Sequence, residues 1–203
     1  MSMKKKESTL VNMVVVLFAI TLAAGLSLGY VNDLTLEPKA KARLAKKMDA
    51  LGSVLPEFDN QPVSEAVRIA AEGAKDSIEV YPAYRDGVFV GAAVTGVSER
   101  GYSGPVKLMV GFDPNGQIIN IAVLEQKETP GLGTKMKGDK FLRQFRGKNP
   151  ASFDLAVQKD GGAVDALAGA TISTRAFTEA TQLAYDVYIA HMPLKPGSKK
   201  EMP

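Results

Sequence analysis

The sequence predicts an α+β chain, with a single apolar helix near the N-terminus followed by one mostly antiparallel sheet with flanking helices. Three observations predict it. Residues 10–30 contain no charged side chain. From Ile78 the apolar residues recur with a period of two, in segments separated by Asp-Gly and Asp-Pro-Asn-Gly turns, which is the pattern of β-hairpins. From Thr171 the period changes to that of one helix face. Strands and helices do not alternate regularly, so a doubly wound parallel sheet is not expected.

The run from Leu10 to Tyr30 matches the roughly 20 apolar residues that a membrane-spanning helix requires. It is longer than the h-region of a cleaved signal peptide, roughly 7–15 residues, so a retained anchor is favoured over a signal sequence. Lys4, Lys5 and Lys6 precede it and predict a cytoplasmic N-terminus over residues 1–9, with the chain beyond the span outside the cytoplasm. Lys39, Lys41, Arg43, Lys46 and Lys47 on the far side reduce this asymmetry. Residues 31–75 read as a juxtamembrane helical region. One helix is expected over Glu37–Leu51, with Ala40, Leu44, Met48 and Leu51 on a stripe, and a weaker one over Val63–Glu72 before Gly73.

Residues 76–192 read as the folded domain. Strands are expected at Ile78–Tyr84 and Val88–Thr95 around Asp86-Gly87, and at Val106–Phe112 and Ile118–Leu124 around Asp113-Pro114-Asn115-Gly116. Glu128 to Thr134 is too rich in proline and glycine to be a regular element. A short helix with Phe141, Leu142 and Phe145 on its apolar face is expected over Gly138–Gly147, then a strand over Phe153–Gln158. The closing helix carries Ala176, Phe177, Ala180, Leu183, Ala184, Val187 and Tyr188 on one face and ends near Met192-Pro193. Residues 193–203 read as a disordered tail.

Composition removes several function classes. The chain has no cysteine and one histidine, which excludes thiolate zinc sites, cysteine-ligated iron–sulfur clusters and c-type haem attachment within it. Redox chemistry here requires an organic cofactor. The net charge is +3, but without Lys4 to Lys6 and Glu7 the balance is 22 basic to 21 acidic residues. No basic face with interleaved aromatics remains, which argues against nucleic acid as a partner. Gly131 to Gly138 lacks the Gly-Lys-Ser/Thr ending of a phosphate-binding loop, so nucleoside triphosphate hydrolysis is excluded.

The segment Asp165-Ala-Leu-Ala-Gly-Ala-Thr-Ile-Ser-Thr174 joins a glycine turn to the closing helix. Thr171, Ser173 and Thr174 therefore fall at a helix N-terminus, where unpaired N–H groups and the positive end of the helix dipole suit a phosphate. Gly169 and Ala170 allow close backbone approach.

Asp165-x-x-Ala168-Gly169-Ala170-Thr171 resembles the flavinylation motif Asp-x-x-(Ser/Thr)-Gly-Ala-Thr of FMN-binding domains, with alanine where that family prefers a hydroxyl at residue 168. Glu128-Thr129-Pro130-Gly131-Leu132-Gly133 and the stretch from Gly101 to Asp113 are similar to the G subunit of Rnf electron-transport complexes. They are also similar to the C subunit of sodium-pumping NADH:quinone oxidoreductases; the length of 203 residues favours the former.

The resemblance implies a membrane-anchored electron carrier with FMN held as a threonine phosphoester on Thr171. The ester is made by a separate flavin transferase that takes FMN from FAD and needs magnesium. Implied partners are the lipid bilayer, the transferase, and the other membrane subunits of a complex joining ferredoxin oxidation to NAD reduction and cation transport. The implied location is the bacterial cytoplasmic (inner) membrane, with the domain on its extracytoplasmic, periplasmic side. Glu128 to Gly133 becomes a flavin-contacting loop, with Leu132 against the ring. One of Ser173 and Thr174 caps the helix while the other donates to the flavin phosphate, and Tyr102 is either a buried strand-end aromatic or a ring contact. Two other readings remain: an FMN subunit of a quinone-linked sodium pump or other extracytoplasmic electron-transfer chain, and a cofactor-free assembly module.

Overall fold

The computed structural model describes residues 9–70 and 77–191. Lys4 to Lys6, the last residues of the helix expected over Val63–Glu72, and the tail from residue 193 lie outside them. The chain divides into two compact units at Ala45 and Lys46.

The first unit is helical. The stretches expected at residues 10–30 and 37–51 are one helix, α1 (Leu10–Val54), which continues through Pro38. Proline removes one i to i−4 hydrogen bond there, and the helical bonds on either side carry the chain past it. Among the described residues α1 is the one helix long and apolar enough to cross a membrane. Its apolar residues from Leu10 to Leu36 are exposed, and the Thr21 hydroxyl donates back to Leu17 O at 2.9 Å, leaving no unpaired polar group on that side chain.

The second unit is a five-stranded antiparallel sheet in the order β1 (Val67–Ile69), β2 (Ile78–Arg85), β3 (Val88–Ser98), β4 (Val106–Phe112), β5 (Ile118–Glu125). Alternation sends side chains to two faces, and both are covered. On one face Ile78, Val80, Val94, Leu108, Val110 and Phe112 pack under α2 (Asp139–Leu142) and α3 (Thr171–His191). On the other, Tyr81, Ala83, Ala93 and Met109 pack under Ala50, Leu51, Val54 and Leu55 at the end of α1. Two glycines let the helices lie this close. A Cβ on Gly96 would overlap Ala180 O of α3, and one on Gly111 would overlap Val54 O of α1.

Two expected elements are absent. Val63–Glu72 is not a helix over its described part. Ser64 and Glu65 close turns onto Gln61 O, and the β-branched Val67 and Ile69 pair with Val80 and Ile78 as edge strand β1. Phe153–Gln158 is not a strand. The Asp154 carboxylate accepts the Ala156 N–H at 2.8 Å, which bends the backbone out of a ladder and leaves one parallel bridge between Val157 and Val164.

The aromatic residues of α3 place its N-terminal turn. Phe177 meets Phe141 and Phe145 with centroids 5.0 and 5.1 Å apart. Tyr188 stacks on Phe112 at 4.8 Å and donates its hydroxyl to Asp113 O at 2.7 Å.

Candidate functional site

Gly169 adopts φ +73°, a left-handed conformation that turns the chain into α3. The first i to i−4 bond of the helix runs from Thr174 N–H to Ala170 O at 3.0 Å. The N–H groups of Thr171, Ile172 and Ser173 therefore precede the helical ladder, and buried Ala170 offers no side chain to cap them. Thr174 does not point at them either: its hydroxyl accepts Leu167 N–H at 3.0 Å and donates to Ala170 O at 2.9 Å. Ser173 donates to Glu128 Oε2 at 2.6 Å, so neither hydroxyl is a side-chain cap or is turned outward to a ligand.

That leaves Thr171. Of the five serine and threonine hydroxyls in α3, those of Ser173, Thr174, Thr178 and Thr181 are all engaged. The half-buried Thr171 hydroxyl has no partner among the described residues. That hydroxyl thus stands beside three N–H groups that also lack a partner among the described residues.

The Pro-Gly loop packs against this turn through Glu128. This residue is 4% exposed and its carboxylate is turned inward, accepting from the Ser173 hydroxyl and from Ser103 N–H at 3.3 Å. Gly133 faces it so closely that a Cβ there would lie 2.6 Å from both Glu128 Cβ and Ser173 Oγ, and Gly101 stands against the same carboxylate. Thr129, Pro130 and Gly131 are placed on the same loop, with Pro130 and Gly131 exposed. Leu132 reaches Gly169, where an added Cβ would meet its Cδ2 at 3.4 Å. Asp165 is exposed, with its backbone clasped by Gln144: Asp165 N–H donates to Gln144 Oε1 at 2.8 Å.

In the sheet unit beyond residue 77, the exposed large apolar side chains are Val88, Tyr102, Leu132, Ile172 and Ile189. Tyr102, Leu132 and Ile172 belong to the three segments that Glu128 and Gly169 bring together. Tyr102, 68% exposed, is thus not a buried strand-end aromatic. The donor set fits FMN: a hydroxyl and free N–H groups for the phosphate, and an exposed apolar surface for a flat ring. Sequence reasoning missed Ile172, Gln144 and Ser103. Ile172 carried a usable signal, being a large apolar residue off the buried stripe of its own helix.

One turn along α3, Arg175 forms a bidentate pair with Asp160, both bonds 2.7 Å. The guanidinium holds Asp160 below the usual aspartate range. An open cavity of about 390 Å³ continues along this helix face, lined by Arg100, Asp160, Arg175, Thr178, Glu179 and Gln182.

The FMN-binding domain family matches residues 101–186, which contain Tyr102, Glu128, Leu132, Asp165 and the Thr171 turn. The G subunit of the ion-translocating oxidoreductase complex of Aliivibrio fischeri is 34% identical over 190 residues, covering 89% of this chain and 90% of the relative. The G subunit of the same complex from Stutzerimonas stutzeri is 37% identical over 164 residues, covering 77% and 70%. The crystal structure of the C subunit of the Na(+)-translocating NADH-quinone reductase from Parabacteroides distasonis aligns over 66% of this chain and 70% of its own, at 23% identity and a TM-score of 0.47. On the identities and coverages of the two bacterial relatives, the chain belongs to the family of ion-translocating oxidoreductase complex G subunits, with an FMN-binding domain between residues 101 and 186.

Proposed function

We propose that this chain is a membrane-anchored electron-carrier subunit of an Rnf-type ion-translocating complex, holding FMN as a phosphoester on Thr171. The observation that carries the site is the state of the serine and threonine hydroxyls of α3: four are engaged, and one, at the helix end beside three N–H groups, has no partner among the described residues. A transferase using FAD would form the Thr171 Oγ–P bond as the pyrophosphate link breaks, with the hydroxyl proton lost and AMP released. FMN supplies one- and two-electron chemistry, and the protein supplies position and field. The N–H groups of Thr171, Ile172 and Ser173 would hold the phosphoryl oxygens, and Tyr102, Leu132 and Ile172 would border the ring. Asp165, exposed six residues before the acceptor, is available to the magnesium-dependent transferase. The span in α1 supports membrane anchoring, and the N-terminal lysines support an extracytoplasmic domain. In such a complex the chain would relay electrons between other membrane subunits on the path from ferredoxin to NAD.

The test is in-gel flavin fluorescence under denaturing conditions, with intact mass, on chain co-expressed with the transferase. A fluorescent band heavier by FMN less one water is expected in the wild type and not in Thr171→Ala. No fluorescence in the wild type, while the transferase labels a known substrate, would sink the reading.

A further inference from the structure

We infer that Glu128 is a positioning residue for this site, its buried carboxylate binding the α3 N-terminus to both glycine loops and setting a fixed negative charge behind the flavin surface. Its effect on the flavin rests on the function proposed above; the tie between segments does not.

The geometry is specific. Glu128 lies 45 residues before its partner Ser173 and 25 after Ser103. One carboxylate therefore joins three segments distant in sequence: the loop of Tyr102, the loop of Leu132 and the first turn of α3. Its own N–H is fixed by Gln126 Oε1 at 2.6 Å, so the side chain is anchored at both ends. Gly101 and Gly133 are the residues that face it, with a Cβ at either falling within 2.7 Å of a Glu128 atom. Both glycines leave the space that the carboxylate fills. A carboxylate at 4% exposure is costly unless hydrogen-bonded, and here its partners are a hydroxyl and an amide rather than a basic side chain. The nearby N-terminus of α3 contributes favourable potential. The same helix end would receive the phosphate, so two anionic groups share it, one inside and one outside. Glutamine at position 128 keeps one acceptor oxygen for Ser103 N–H and can donate its amide to the Ser173 hydroxyl oxygen, so it retains both contacts without the charge, whereas alanine removes both functions.

Amide hydrogen exchange on the full-length chain in a Thr171→Ala background, which carries no flavin, tests the tie directly. Glu128→Ala is expected to raise exchange at least ten-fold at Ser103, in residues 131–134 and at Thr174 together, with Glu128→Gln restoring protection. Changes confined to the 128–134 loop, or equal effects of the two variants, would overturn the tie. In the Thr171 form co-expressed with the transferase, Glu128→Gln is expected to take up flavin within about two-fold of wild type and to show a higher midpoint potential, because a fixed negative charge opposes reduction. An unchanged potential would overturn the field role. If the wild type takes up no flavin at all, the proposed function fails, and the exchange experiment alone decides the role of Glu128.

Discussion

The first turn of α3 and the rest of the same helix follow opposite rules. From Ser173 onward each hydroxyl is bonded, and Phe177, Ala180, Ala184 and Tyr188 are buried against the sheet. In the first turn, the Thr171 hydroxyl has no partner among the described residues, Ile172 is 48% exposed, and three N–H groups have no helical acceptor. The body of the helix is bonded and packed within the protein; its beginning presents donors outward. Stability and function therefore separate along one element, and substitutions on either side of the boundary should move different observables.

Thr171→Ala should show the largest functional effect, abolishing flavin incorporation at least a hundred-fold while leaving stability within about 0.5 kcal/mol, as for a residue outside the core; fluorescence and a melting curve on the same sample check both. Phe177→Ala should do the reverse, costing about 3–5 kcal/mol in a urea titration because a fully buried ring leaves a cavity against Phe141 and Phe145. Gly133→Ala sits on the boundary. Its new methyl group must displace Glu128 and Ser173, so we expect about 1–3 kcal/mol of destabilisation together with reduced flavin uptake. Tyr188→Phe should cost about 1 kcal/mol by removing the bond to Asp113 O, with flavin content unchanged.

The smallest effect concerns pH. Arg175 lowers the carboxyl of Asp160 in the folded state, so the pair stabilises the fold fully above the unfolded value of about 3.9. That contribution disappears as pH falls through the lower folded value. The acid limb of the wild-type stability curve should accordingly be slightly steeper than that of Asp160→Asn, and identical limbs would show that the exposed pair contributes nothing.

The sheet's central hairpins were legible because period-two alternation and Asp-Gly turns are local signals. Thr171 was singled out because Asp165 to Thr171 forms a recognisable local string, and the structure places it at the start of α3. What the sequence did not disclose depended on contacts between distant segments. Nothing local marks Glu128 as inward-facing, since its partners are a serine and an amide on other segments. Val67 and Ile69 became a strand because β2 offered an edge, overriding a weak helical pattern. Phe153–Gln158 had strand-like alternation, but one aspartate hydrogen bond to its own backbone outweighed it. Ser173 and Thr174 looked equivalent, and only the packing of α3 shows that one faces a buried carboxylate and the other its own helix end.

Gly96 and Gly111 carry a further consequence, for how the sheet finds its alignment. Sliding one strand by two residues keeps every side chain on its original face, so alternating hydrophobicity alone discriminates weakly against it. In the native register Gly96 pairs with Leu108 and Gly111 with Ala93. A two-residue slip would bring Val94 or Ser98 of β3 beneath Ala180 O, or Met109 or Asp113 beneath Val54 O, where not even a methyl group fits. The two glycines act as keys cut into opposite faces of adjacent strands, and a misaligned sheet cannot seat both covering helices at once. Fidelity of assembly is thus written into two missing side chains.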